Sequence, residues 1–150
     1  MFDLNELYQQ VILDHNKNPR NFGPLPEADR DAEGHNPLCG DHYHVYVKLD
    51  GDRVAEVRFS GEGCAISKAA ASVMTEAVKG RTTEEIQELF DSYQALVMGR
   101  AGADVSMEKL GKVAVFSGVS EFPMRVKCAI LPWHTLKAAL ENTEEPVTTE

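Results

Sequence analysis

The sequence predicts an α+β fold, a small antiparallel β-sheet packed against several α-helices. Three observations carry this. An amphipathic stripe opens the chain, two alternating runs flank an Asp-Gly turn, and helical periodicity dominates the remainder of the chain. With 150 residues there is enough chain for one domain with a real core. Residues 1–150 are therefore read as a single domain, with the polar, acidic stretch 142–150 as a flexible tail.

In the first helix Leu4, Leu7, Tyr8, Val11 and Ile12 follow the i, i+3, i+4, i+7, i+8 spacing. Asp3 is its expected cap, with Glu6 in the capping-box position. Asn18-Pro19 ends it, because a residue before proline is pushed out of helical space. Residues 19–40 carry Pro19, Pro24, Pro26, Pro37, Gly23, Gly34 and Gly40 and are expected to form a long ordered loop.

A hairpin comes next. Tyr43, Val45, Val47 and Leu49 alternate with His42, His44, Tyr46 and Lys48. After Asp50-Gly51-Asp52, Ala55, Val57 and Phe59 alternate with Glu56, Arg58 and Ser60, so one face is buried. Gly61-Glu62-Gly63 breaks the second strand. The next helix spans about 65–79 through Ile66, Ala69, Ala70, Val73, Met74 and Ala77, with Gly80 as its C-terminal stop. Thr82 and Glu85 predict a capping box for a helix carrying Ile86, Leu89 and Phe90. Residues 91–122, interrupted by four glycines, give no assignable element. The last helix is expected near 128–141, so that Pro132 falls in its first turn and Cys128 at its start.

A net charge of −9 argues against nucleic acid, whose backbone needs clustered Lys and Arg. No apolar run approaches the length of a membrane span, and Met1-Phe2-Asp3-Leu4-Asn5 has no signal-peptide character. The expected location is the cytoplasm, where cysteine clusters signal metal or catalysis more often than disulfides.

The chemistry-bearing residues are Cys39, Asp41, Cys64 and Cys128. A single buried cysteine is usually a small hydrophobe. Here Cys39 lies between Pro37 and Gly40 with a carboxylate two residues on, and Cys64 follows Gly-Glu-Gly and opens a helix. Thiols at helix N-termini are biased toward thiolate, the form that binds metal and attacks sulfur. Three thiolates and a carboxylate suit zinc, and such a site also suits iron. Arg125 and Lys127 are candidates to offset its negative charge, or plain surface residues. His42 and His44 are expected on the solvent side of their strand. His15 is placed on the first helix's polar side or frayed end, His134 on the surface, and His35 in the loop, within possible approach of the site.

At these residues the chain resembles the U-type iron–sulfur scaffold family, the IscU and SufU proteins, over nearly its whole length. Ile12-Leu13-Asp14-His15-Asn16-Lys17-Asn18-Pro19-Arg20-Asn21-Phe22-Gly23 is similar to the family's N-terminal signature. Asn36-Pro37-Leu38-Cys39-Gly40-Asp41, Gly61-Glu62-Gly63-Cys64-Ala65-Ile66-Ser67 and Arg125-Val126-Lys127-Cys128-Ala129 resemble its three ligand segments. IscU-type scaffolds typically carry histidine just before the third cysteine. Here Lys127 stands there, and a protonated lysine offers no lone pair. That difference and the long segment between Cys64 and Cys128 are similar to the SufU branch.

The resemblance implies a zinc site formed by Cys39, Asp41, Cys64 and Cys128. It also implies a role in cluster biogenesis as a sulfurtransferase, taking persulfide sulfur from a pyridoxal-phosphate cysteine desulfurase and passing it to downstream iron–sulfur assembly proteins. Cys39 is the expected acceptor, because its Pro/Gly-flanked loop can move. Two alternatives stand beside this one: a scaffold building a [2Fe–2S] cluster on the same residues, and a structural zinc adaptor without catalytic activity.

Overall fold

The computed structural model describes residues 4–37, 40–98, 113–116, 119, 122–142 and 147–148. Elements run in the order α1 (Leu4–Lys17), β1 (Arg30–Asn36), β2 (Asp41–Asp50), β3 (Arg53–Glu62), α2 (Ala65–Val78), α3 (Thr83–Val97), α4 (Pro123–Leu140) and β4 (Val147–Thr148). The sheet order is β3-β2-β1-β4. The first three strands pair antiparallel and the two-residue β4 runs parallel to β1. This is the expected α+β architecture. Expectations for Asp3 as a cap, for most of 91–122 and for much of the tail fall outside the described residues.

The sheet buries one face and exposes the other. Tyr43, Val45, Val47, Val54, Val57 and Phe59 point inward and are fully buried, as the alternation requires. The hairpin closes through Gly51 and Asp52, with Asp50 opposite Arg53 and Gly51 at φ +65°. The phase of β3 differs from expectation at one point. A bulge between Lys48 and Leu49 pairs Leu49 with Val54 and Lys48 with Glu56. Ala55 is thereby left as the extra residue on β3, and it is exposed while Val54 takes the core position.

The stretch 19–40 is not all loop: Arg30–Asn36 forms β1. Its inward residues Ala32, Gly34 and Asn36 are small or polar, so the hydrophobic alternation that marks a strand is missing. Their size has a structural reason. β1 lies against α4, and a Cβ on Gly34 would collide with the Thr135 hydroxyl.

The last helix also departs from expectation. It starts at Pro123, which fits the first turn, and continues through Pro132 to Leu140. Cys128 therefore lies in the second turn and not at the N-terminus. Pro132 has no N–H for the i→i−4 bond that would end on residue 128. The helix survives because it is the molecule's central post. Cys128, Ala129, Leu131, Trp133, Leu136 and Ala139 are buried against β1, β2, α2 and α3. Tertiary packing outweighs the local proline cost.

α2 matches its expected span. It is buried almost all round, Ser67, Ser72 and Thr75 included, while Ile66 and Ala77 are only partly covered. Thr82 and Glu85 form the expected capping box on α3, with Thr82 Oγ1 accepting from Glu85 N–H at 3.1 Å. Among the described residues no helix is long and apolar enough to cross a membrane.

Candidate metal centre

The site is built where β2 begins, α2 begins and α4 passes beneath both. Asp41 is the first residue of β2, 1% exposed. Gly40, at φ +74°, donates its N–H to the Asn36 carbonyl at 2.9 Å, closing the turn between β1 and β2. That turn holds Asp41 against the start of α2, where its Oδ1 accepts the Cys64 N–H at 2.8 Å.

Cys64 is the N-cap residue of α2, in extended conformation. Its sulfur accepts the Ser67 N–H at 3.4 Å, taking the place that Ser or Asp oxygen fills in ordinary caps. Cys128 arrives from α4, 4% exposed. One ligand atom from each of Asp41, Cys64 and Cys128 lies within 4.8 Å of the others. Among the described residues this is the one such group of His, Cys, Asp or Glu. Cys39, the fourth expected ligand, lies outside the described residues, between Pro37 and Gly40 in the sequence.

The electrostatics favour an anionic sulfur. The Cys64 thiol is lowered from 9.0 to about 6, chiefly by its hydrogen bond with Cys128. Burial opposes the shift, the Ser67 N–H and hydroxyl add to it, and the Asp41 carboxylate opposes it. The N-terminal position expected of Cys64 is therefore present. The same expectation for Cys128 fails, and that thiol contributes as a buried hydrogen-bond partner instead.

Three further residues form a cradle that no local sequence pattern singled out. Tyr43, fully buried, places its hydroxyl 2.9 Å from Ser67 Oγ. The Ser67 hydroxyl in turn lies 3.6 Å from Cys64 Sγ and 3.1 Å from its carbonyl. A Cβ on Gly63 would sit 2.5 Å from Ser67 Oγ and 2.7 Å from Asp41 Oδ1, and closer still to the Tyr43 hydroxyl. Gly63 is therefore required by space. The Tyr43 phenol is raised above its ordinary value, first by burial. The signal that could have found Ser67 was its position three residues after a capping cysteine.

The N-terminal signature works on this frame from outside. Asn16 Nδ2 donates to the Ala65 carbonyl at 2.8 Å, one residue past Cys64. Arg20 N–H donates to Ser72 Oγ, and Asn21 Nδ2 to Thr75 Oγ1. Asn21 and Gly23 bond to both backbone groups of Phe59, adding a short bridge beside β3. His15 is fully buried with Nδ1 2.6 Å from Ser72 Oγ, which corrects its placement on a polar or frayed face. The segment thus fastens α2 and the cysteine it presents.

The remaining candidates are spread apart. Arg125 stacks its guanidinium on Phe122, 4.5 Å from the ring centroid, and Lys127 is partly buried. His35 belongs to β1 and faces His42 across the strand pair, on the sheet surface opposite the site. His42 and His44 are on that outward face, as expected. His134 is half-buried against Phe90, and burial lowers its basicity, so it is not a plain surface residue.

The donor set fits a small, borderline-soft cation. Two sulfurs and a carboxylate oxygen converge, one sulfur already biased toward thiolate. Zinc and iron both accept such ligands.

Comparison with known proteins agrees with this chemistry. The family description "NifU-like N terminal domain" matches residues 7–129. A protein of Bacillus subtilis named zinc-dependent sulfurtransferase SufU is 42% identical over 142 residues, 95% of each chain. A Streptococcus pyogenes protein named iron–sulfur cluster assembly scaffold protein IscU is 38% identical over 140 residues, 93% of this chain and 86% of the relative. A solved structure from Fervidobacterium islandicum, described as a candidate iron–sulfur cluster assembly scaffold of the SUF system, superposes with a TM-score of 0.83. It is 37% identical, covering 91% of this chain and 98% of the other.

Proposed function

The chain belongs to the NifU-like N-terminal domain family, among the SufU and IscU proteins of iron–sulfur cluster assembly, and from that premise we propose that it is a zinc-dependent sulfur carrier. In this reading Cys39, Asp41, Cys64 and Cys128 hold the ion. Cys39 accepts sulfur from a cysteine desulfurase and delivers it to the assembly machinery, in the cytoplasm. The convergence of Asp41, Cys64 and Cys128 within 4.8 Å supports it most directly.

Bound zinc would keep its cysteines as thiolates while bringing no redox chemistry of its own. The chain's residues divide the remaining work. Cys64 and Cys128, fixed by α2 and by the core helix α4, are suited to retain the ion. Asp41, fixed by the Cys64 N–H, would help hold the ion through its carboxylate. Cys39, between Pro37 and Gly40, is the ligand assigned to leave. Its thiolate attacks the outer sulfur of the donor's persulfide; a new S–S bond forms on Cys39, the donor's S–S bond breaks, and the donor cysteine departs as thiolate.

Cys39→Ser protein incubated with a cysteine desulfurase and cysteine tests the assignment. Loss of protein-bound persulfide is expected; undiminished persulfide removes Cys39 from the acceptor role. A [2Fe–2S] scaffold remains the second reading, because the same donors suit iron and because the Streptococcus relative bears a scaffold name. Anaerobic reconstitution separates the two: a stable cluster, transferable to an acceptor, favours the scaffold.

A further inference from the structure

The outward face of the sheet gathers three of the chain's five histidines at adjoining positions. On β2, His42 and His44 are two residues apart and so share a face. On β1, His35 lies directly opposite His42, and Glu33 directly opposite His44. The His35 and His42 rings stand 6.4 Å apart, centre to centre. Glu33 reaches between the β2 pair, with one carboxylate oxygen 3.5 Å from His44 Nδ1 and the other 4.0 Å from His42 Nε2.

His44 carries the most specific feature. Its Nε2 lies 2.5 Å from the Asp31 carboxylate. A carboxylate can only accept, so that nitrogen bears the proton. Its ring is stacked on Tyr46, 4.3 Å between centroids and 3° from parallel. One ring nitrogen given to a carboxylate and the other turned toward a ligand position is the usual arrangement of a metal-binding histidine. The other ring nitrogen, Nδ1, lies 3.5 Å from Glu33 Oε1, a separation that a cation held by both would span.

We propose that His35, His42, His44 and Glu33 form a second, surface cation site for a divalent transition ion of the zinc class. Imidazole and carboxylate ligands suit zinc, and the strand register sets the four residues side by side on one face. The site is separate from the cysteine centre: Asp41 points to the buried face and His42 to the outer one. A short turn of the exposed His42 and the half-buried His35 side chains brings their nitrogens toward Glu33 and His44.

The test is equilibrium dialysis of the full chain against zinc, with the circular dichroism spectrum checking each variant's fold. Wild type is expected to bind a tight equivalent and a weaker second one. The H42Q/H44Q double variant should lose the second and keep the first, with persulfide acceptance unchanged. Cys64→Ser should show the reverse, which keeps failure of this proposal distinct from failure of the cysteine centre. Wild type that stops at one equivalent would overturn the proposal. So would a second equivalent that survives in the double variant.

Discussion

Gly63→Ala adds one methyl group beside the metal centre and removes no ligand. The added carbon would meet Ser67 Oγ at 2.5 Å and Asp41 Oδ1 at 2.7 Å, and would overlap the Tyr43 hydroxyl most severely. Gly63 is not among the glycines at positive φ, so the backbone accepts alanine and the effect is steric. All three neighbours help fix Cys64 or Asp41, and each must move. Overpacking of this kind costs about 1–3 kcal/mol. For a chain of this size that lowers Tm by on the order of 5 °C. Displacing groups that orient metal ligands typically weakens binding ~10–100-fold. Zinc competition against a chromogenic chelator and thermal melts of the metal-free protein measure the two effects separately. Tyr43→Phe removes the most crowded atom, so G63A/Y43F should recover part of the loss and the two changes should be non-additive. If G63A matches wild type in both zinc affinity and melting, the cradle has slack and does not position the ligands.

Metal-free protein should react with iodoacetamide at Cys64 with a pH midpoint near 6; a midpoint near the ordinary 9.0 would refute the Cys128 and Ser67 hydrogen bonds. Because this thiol's folded value is depressed, its contribution to stability is fully present above pH 9.0 and is lost as pH falls through about 6. Melts of the metal-free protein should therefore weaken across that window relative to Cys64→Ala. Gly34→Ala forces β1 away from Thr135 on α4 and should destabilise by about 1–3 kcal/mol in urea unfolding, with Thr135→Ala restoring part of it. Chelation should lower the wild-type Tm, since an ion bound only by the folded chain stabilises it; a Tm indifferent to chelator would contradict a ligand set assembled by folding.

The legible parts of the sequence were those whose signal is local. The hairpin was visible because Tyr43, Val45 and Val47 alternate about an Asp-Gly turn, and α3 because Thr82 and Glu85 cap it through near neighbours. Cys64 and Asp41 stood out through their glycine-rich settings. What escaped was specified across the chain. β1 has no apolar stripe because Gly34 and Ala32 are shaped by α4, about a hundred residues downstream. The start of α4 was misplaced because Pro132 argues locally for a helix beginning, while burial of Leu131, Trp133 and Leu136 carries the helix straight through. Tyr43 has the pattern of an ordinary core residue; only the folded chain shows its hydroxyl reaching Ser67 under the cysteine.

That division explains how the centre can be both firm and reactive. Asp41, Cys64 and Cys128 crowd into a mostly buried corner, where the hydrogen bond from Cys128 favours the Cys64 thiolate and the Asp41 charge opposes it. Such a cluster would push its own elements apart unless other contacts held them. Those contacts are neutral. Asn16 and Asn21 tie α2 to the segment after α1, Tyr43 braces Ser67 from β2, and α4 is locked in the core by Trp133 and Leu136. The frame is thus held by packing and hydrogen bonds among the chain's own residues. On the proposed reading, Cys39 is released for chemistry while Asp41, Cys64 and Cys128 stay in register.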